Sequence, residues 1–152
     1  MILSGKFLAV CLTVMVQMIV MLILGRLIFG IHWGAILPLI LVTAGSIVAA
    51  SGFGLFLISL FKNNKQSSVI FGGVVTVTGM LGMVKVFMMG VSGHTWADTV
   101  SLFVPQGWAT RGLIQVMNGA AVTDILPTVA GLIVIGAVLF TLGVLRFQKR
   151  YA

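Results

Sequence analysis

No charged side chain interrupts residues 7–25, which read FLAVCLTVMVQMIVMLILG. A helix rises about 1.5 Å per residue, so about 20 apolar residues cross the roughly 30 Å hydrocarbon core of a bilayer. A helix also satisfies its own backbone hydrogen bonds, which no water can do inside the membrane. Three further uncharged runs are long enough to cross, at residues 31–61, 66–84 and 125–145. The sequence therefore predicts an all-α integral membrane protein.

The uncharged runs predict four spans in a single transmembrane domain over residues 1–152. We expect these spans at about residues 7–29, 36–61, 69–89 and 122–145. The longest gap lies between the third and fourth spans, where Pro105 and Gly107 break an apolar stretch into pieces too short to cross. Trp96 and Trp108 are typical of the membrane interface. We therefore expect two short helices at about residues 95–118 that form an outer hairpin, either lying on the outer leaflet or dipping into it.

The positive charge predicts the orientation of the chain. The net charge is +7, but the cations are scattered at span ends without a basic stripe, so nucleic-acid binding is not indicated. Lysine and arginine near span ends prefer the cytoplasm. Six cations share the side of the two termini, and Arg26, Lys85 and Arg111 oppose them. Both termini are predicted to be cytoplasmic, as is the loop between the second and third spans, which contains Lys62, Lys65 and Gln66.

Small residues four apart occur along the second predicted span. Gly45 with Ala49, and Ala50 with Gly54, place small side chains on neighbouring ridges of one helix. Such spacing lets a second helix pack closely. The partner can be another helix of the same domain or a helix of a second subunit.

Side chains for catalysis or cofactor binding are sparse. No glycine-rich phosphate-binding loop is present, and glutamate is absent. His94 and Asp98 are four apart, but a nucleophilic site needs a third orienting group and a metal site needs three or four ligands. We therefore predict no enzyme activity, cofactor site or metal site in this chain, and any energy for transport must come from another subunit.

Several motifs, in their order, resemble the membrane permeases of type-2 ATP-binding cassette (ABC) exporters, specifically their C-terminal portion. Residues 3–9 (LSGKFLA) are similar to the segment before the family's third span. Residues 51–55 (SGFGL) and 61–66 (FKNNKQ) follow the order at its fourth span and next loop. Residues 104–109 (VPQGWA) resemble the proline-to-tryptophan element before its last span.

The resemblance implies a permease subunit, or the C-terminal part of one, with the last four of six spans. ATP would be bound by a partner ATP-binding subunit, and a second permease half or missing N-terminal spans would complete the pathway in the cell (plasma or inner) membrane. Pro105, Gly107 and Trp108 would form a gating or re-entrant element. The alternative is a small four-helix assembly or regulatory protein that transports nothing. The substrate, the oligomeric state and the choice between fragment and separate subunit stay open at this stage.

Overall fold

The computed structural model describes residues 2–60, 64–88 and 95–151. The elements in this part of the chain are helices, in the order α1 (Ile2–Phe29), α2 (Ile36–Leu60), α3 (Asn64–Phe87), α4 (Thr95–Ser101), α5 (Pro105–Met117) and α6 (Val122–Tyr151). Four of them are long and apolar enough to cross a membrane, at residues 8–29, 36–60, 69–87 and 122–148. The predicted all-α fold is confirmed, with two short helices between the third and fourth spans.

Two helices extend beyond the predicted spans. The α3 helix begins at Asn64, so Lys65 and Gln66 lie in its first turn rather than in a loop, and that part of the loop prediction is wrong. Lys62 and His94 lie outside the described residues. The α6 helix continues past residue 145 to Tyr151. Lysine, arginine and glutamine are good helix formers, so a helix continues into water after its apolar run has ended.

The turns between helices depend on glycine and on one aspartate. Gly30 and Gly34, which flank the link between α1 and α2, have positive φ angles of 64° and 73°. Gly119 has a φ of 81° and ends α5, where its N–H donates to the carbonyl of Val116. This left-handed backbone favours glycine, which has no Cβ to clash. The Asp124 carboxylate accepts a hydrogen bond of 3.1 Å from the N–H of Ala121 and so caps the start of α6.

The centre of the fold is the pair α2 and α6, which make the most extensive contact in the described part of the chain. Gly52 of α2 lies directly against the backbone of Gly136 in α6. Further along both helices, Gly143 of α6 lies very close to Phe56 of α2. A Cβ added to Gly143 would be 3.2 Å from the Cα of Phe56. Small residues allow helix backbones to approach in this way. Buried side chains of α2, α5 and α6 form the hydrophobic core beside this contact, namely Val42, Val116, Ile125 and Val129.

The α1 and α3 helices are peripheral. The most apolar window of α1 is 0% buried and that of α3 is 6% buried, against 44% for α2. Trp33 fastens the end of α1, because its Nε1 donates a 2.9 Å hydrogen bond to the carbonyl of Leu22. The α3 helix is held mainly by α4 and α5, and within residues 2–60 and 64–88 it makes no close approach to α1. A space therefore remains between these two helices.

Candidate functional site

Both ends of the α4–α5 hairpin lie on one side of the membrane domain. The Lys85 ammonium, in the last turn of α3, forms a 2.6 Å salt bridge with Asp98 of α4. At the other end of the hairpin, Gly34, just before α2, packs against the carbonyl of Val116 in α5. We call this side, where α1 and α3 end and α2 and α6 begin, the hairpin side.

The tip of the hairpin lies deep between the spans. Gln106 Nε2 donates a 3.1 Å hydrogen bond to Thr78 Oγ1, nine positions before the end of α3 at Phe87. The Trp108 ring packs against Gly131, nine positions after the start of α6. At 1.5 Å per residue, both contacts place the tip about 13 Å below the hairpin side. The tip is therefore packed between α3 and α6, about nine residues from the hairpin-side end of each helix.

The depth also changes the interpretation of Trp108. The sequence predicted an interfacial ring, but the ring is partly buried against α6, and its Nε1 donates a 2.8 Å hydrogen bond to the carbonyl of Leu102. The ring packs among the spans, and its position relative to the membrane interface stays a prediction. A tryptophan can lie in the hydrocarbon region when its N–H has an acceptor, and here the chain reversal between α4 and α5 supplies one.

The broken backbone at the tip finds its hydrogen bonds within the hairpin. The N–H groups of Leu102 and Phe103 donate to the carbonyls of Thr99 and Val100, and the N–H of Gly107 donates to Val104 at 3.1 Å. Non-helical backbone at membrane depth requires such internal partners. The backbone of the chain reversal is therefore hydrogen-bonded within the hairpin itself.

The three residues predicted for a gating or re-entrant element come together at this tip. Pro105 is buried in the first turn of α5, where the missing N–H of proline costs little. Gly107 is buried directly against the carbonyl of Ser101, so the two arms touch where only a hydrogen fits. Trp108 ties the reversal to α6. Any function in gating remains a proposal, but the three side chains share one location.

The small residues predicted for helix packing divide between two faces of α2. Gly45 and Ala49 face α6, where a Cβ at Gly45 would lie 3.3 Å from Leu132 Cβ and Ala49 is only 1% exposed. Ala50 and Gly54 face away from α6 and line a cavity, which Ala49 also borders. The closest approach of the two helices, at Gly52, was not among the predicted residues. Its signal is a spacing of seven, two helical turns, shared by Gly45 with Gly52 and by Gly136 with Gly143.

The cavity lies among α1, α2, α3 and α5 and has a volume of about 480 Å³. Its walls are mostly apolar. Four polar side chains interrupt them, namely Gln17, Ser46, Gln106 and Thr110. The hydroxyls of Ser46 and Thr110 donate to backbone carbonyls of their own helices, at 2.8 Å each. Gln106 Oε1 differs, because it is buried and accepts no hydrogen bond from the described residues.

This arrangement favours binding over catalysis. Apolar walls with a few hydrogen-bonding groups are typical of sites for small apolar or amphipathic molecules. Across the described ranges, no group of three or more histidine, cysteine or acidic residues could hold a metal ion. The cavity offers apolar contact area, a few uncharged polar side chains and a position beside the tip of the hairpin.

The fold defines a multi-pass α-helical membrane protein with a short helical hairpin packed among its spans. Residues 1–145 match the family described as ABC-2 family transporter protein, so the chain belongs to that family, and the resemblance inferred from the motifs is confirmed. This family is a membrane transport component that normally works with an ATP-binding subunit, and it is not itself catalytic.

One curated relative is the linearmycin resistance permease protein of Bacillus subtilis (strain 168). It is 27% identical over an alignment of 137 positions that covers 84% of this chain and 33% of that protein. The chain therefore spans about a third of the length of this relative. No solved structure matches the chain significantly.

Proposed function

We propose that this chain is the membrane-spanning permease subunit of an ATP-driven exporter, or the C-terminal part of one, and that its apolar cavity forms part of the substrate path. One observation carries the proposal: the cavity, which three of the four spans line, meets the tip of the α4–α5 hairpin at Gln106. ATP would be bound by a partner subunit. Both termini would be cytoplasmic, which puts the hairpin side outside the cell.

The lining of the cavity indicates what kind of cargo it would take. Its walls are mostly apolar, and the polar side chains among them, Gln17, Ser46, Gln106 and Thr110, are uncharged. A molecule with an apolar body and one hydroxyl or amide N–H would match such walls, whereas an ion would lose its hydration without gaining a charged partner. The proposed cargo is therefore amphipathic rather than strongly ionic.

The peripheral helices support a route into the cavity from the side. The α1 and α3 helices both line the cavity but do not approach each other in the described part of the chain. Their exposed faces would be covered by a second permease half or by further spans. The alternative of a four-helix assembly without transport would cover the same faces with another kind of membrane protein, so the identity of the partner separates the two functions.

We expect the tagged chain, purified in mild detergent from its native membrane, to bring down an ATP-binding protein. Intact mass spectrometry of every copurifying species would identify it. A second permease half or a companion with two more spans should accompany it. Recovery of the chain alone, or with a membrane protein and no ATP-binding subunit, would contradict the exporter and favour the non-transporting assembly.

Filling the cavity from α3 should reduce transport. Gly79 lines the cavity, and a Cβ there has no atom within 4 Å, so Gly79→Phe can place its ring inside without a clash at the backbone. Linearmycin, which appears in the name of the relative, is the first cargo that we propose to test. We expect cells with Gly79→Phe to lose at least tenfold in resistance to it. The measurement is the growth of cells carrying each variant as their only copy.

Gly73→Phe is the matched control. Gly73 lies on the same helix, has equally open space, does not line the cavity and faces outward. Both variants add the same ring to the same helix, so they should insert and assemble alike. Wild-type cells must first be clearly more resistant than cells that lack the gene. If the Gly79→Phe and Gly73→Phe strains are then equally resistant, the cavity is not part of the substrate path.

A further inference from the structure

A second, polar pocket lies on the hairpin side, separate from the apolar cavity. It has a volume of about 390 Å³ and is formed by the end of α3 together with α4 and α5. None of its lining residues is shared with the apolar cavity. Its polar side chains are Lys85, Asp98, Ser101, Arg111, Gln115 and Asn118.

The charges of this pocket do not balance. The whole chain has two acidic residues, and both are described. Asp98 is bound by Lys85, while Asp124 caps α6. Neither forms a salt bridge with Arg111. The pocket therefore contains two cations and one carboxylate, a net charge of +1, and its arginine has no carboxylate partner.

The surroundings of Arg111 orient it without using its hydrogen-bond donors. Its guanidinium carbon lies 5.9 Å from the centre of the Trp108 ring, a cation–π arrangement. The ring itself is fixed by the hydrogen bond from its Nε1 to the carbonyl of Leu102. A guanidinium stacked on an aromatic face keeps its N–H fork available for a planar or tetrahedral anion.

Neutral donors add to the cations. Gln115 Oε1 accepts a 2.7 Å hydrogen bond from Thr128 Oγ1, which leaves the Nε2 hydrogens of Gln115 for an acceptor in the pocket. Asn118, exposed at the end of α5, offers a second amide. A tetrahedral oxyanion would find an arginine fork, an ammonium and amide donors from two adjacent helices.

The level of the pocket along the membrane domain indicates which kind of anion it binds. The pocket extends toward the hairpin side from Arg111, six positions after Pro105, to Asn118 at the end of α5 and Lys85 in the last turn of α3. Its outer end is therefore at the level at which α3 ends, within reach of lipid headgroups. A phosphodiester carries one negative charge, which matches the net charge of the pocket. We propose that this pocket binds a phosphodiester or phosphate group, with Arg111 and Lys85 as its cationic ligands.

The test uses the full chain with the partners that copurify with it, in a neutral detergent. Native mass spectrometry measures occupancy by three probes: palmitoyl-oleoyl-phosphatidylglycerol, dioleoylglycerol as the same kind of lipid without phosphate, and inorganic phosphate as competitor. We expect phosphatidylglycerol to bind and dioleoylglycerol not to. Arg111→Gln should lower the phosphatidylglycerol occupancy at least fivefold.

Two variants make the result specific. Arg146→Gln also removes one exposed arginine, but at the opposite end of the membrane domain, so its occupancy should equal wild type. Asp98→Asn removes the competing carboxylate and releases Lys85, so binding should tighten severalfold. Misfolding could lower the phosphatidylglycerol occupancy of Arg111→Gln, but it could not also raise the occupancy of Asp98→Asn.

The outcomes separate the two sources of the phosphate group. Displacement of phosphatidylglycerol by millimolar inorganic phosphate indicates a soluble phosphate compound as the ligand, and resistance to displacement indicates a lipid headgroup; both support the pocket. Equal losses in Arg111→Gln and Arg146→Gln, or equal binding of dioleoylglycerol, would overturn the proposal.

Discussion

Replacing Gly107 with alanine is expected to open the tip of the hairpin and to destabilise it by about 3 kcal/mol, the range of a forced steric overlap in a packed interior. The added Cβ would run into the carbonyl oxygen of Ser101, which is backbone and cannot rotate away. The two arms must then separate. That separation displaces Leu102, whose carbonyl holds the Trp108 ring, so the anchor to α6 weakens as well.

A single cysteine at the tip reports the change. Phe103 is 81% exposed at the chain reversal and faces the surroundings of the protein at membrane depth. Cys11 is the sole native cysteine, so Cys11→Ala with Phe103→Cys gives one reactive thiol. A water-soluble maleimide should label it slowly in membranes. With Gly107→Ala added, we expect labelling at least tenfold faster, because an opened hairpin rises toward water.

Gly73→Ala in the same background is the control, since a Cβ at Gly73 has no atom within 4 Å. In a helix interior, alanine in place of glycine is favourable by up to about 1 kcal/mol, so this variant should label as slowly as its parent. Labelling that stays slow with Gly107→Ala would show that the arms do not need their close contact. Rapid labelling of the parent itself would show that the tip does not lie in the hydrocarbon.

The four spans and the existence of the hairpin could be predicted from the sequence because both follow from local properties. An uncharged run of about 20 residues has few alternatives to a spanning helix. Pro105 and Gly107 break the next apolar stretch within a few residues of each other. These signals need no knowledge of which helices are neighbours.

The depth of the hairpin could not be predicted, because it depends on contacts between residues far apart in the chain. Gln106 meets Thr78 and Trp108 meets Gly131, and neither pairing leaves a local pattern. Tryptophan is common at interfaces, so Trp108 was placed there by composition. Its acceptor, the carbonyl of Leu102, exists only after α4 and α5 have folded back on each other.

The cavity could not be predicted from the sequence for the same reason. Its walls come from four helices, and the orphan acceptor of Gln106 is visible only once its neighbours are known. The helix contact is predicted only in part: small residues four apart identify Gly45 and Ala49, whereas Gly52 follows a seven-residue spacing.

Gly52→Ala is expected to lower the free energy of unfolding by about 2–3 kcal/mol, because its Cβ would meet the carbonyl oxygen of Gly136 and force α2 and α6 apart. In a membrane, such helix pairs are held by close packing rather than by exclusion of water, so a small separation removes many contacts at once. The measurement is the midpoint of unfolding as sodium dodecyl sulfate is added to the protein in mild detergent.

Gly54→Ala, two positions along the same helix, separates steric overlap from the effect of adding a methyl group. Its Cβ would meet only Val10 Cγ1, at 3.9 Å, which is ordinary contact. This variant should be neutral or slightly stabilising, since alanine favours the helix. Opposite signs at positions 52 and 54 would show that the distance between α2 and α6 sets the stability of the fold. Equal changes in unfolding free energy would instead mean that α2 can move away from α6 without loss of stability. Because α2 lines the cavity and also packs against α6, such a movement would change the shape of both the cavity and the core.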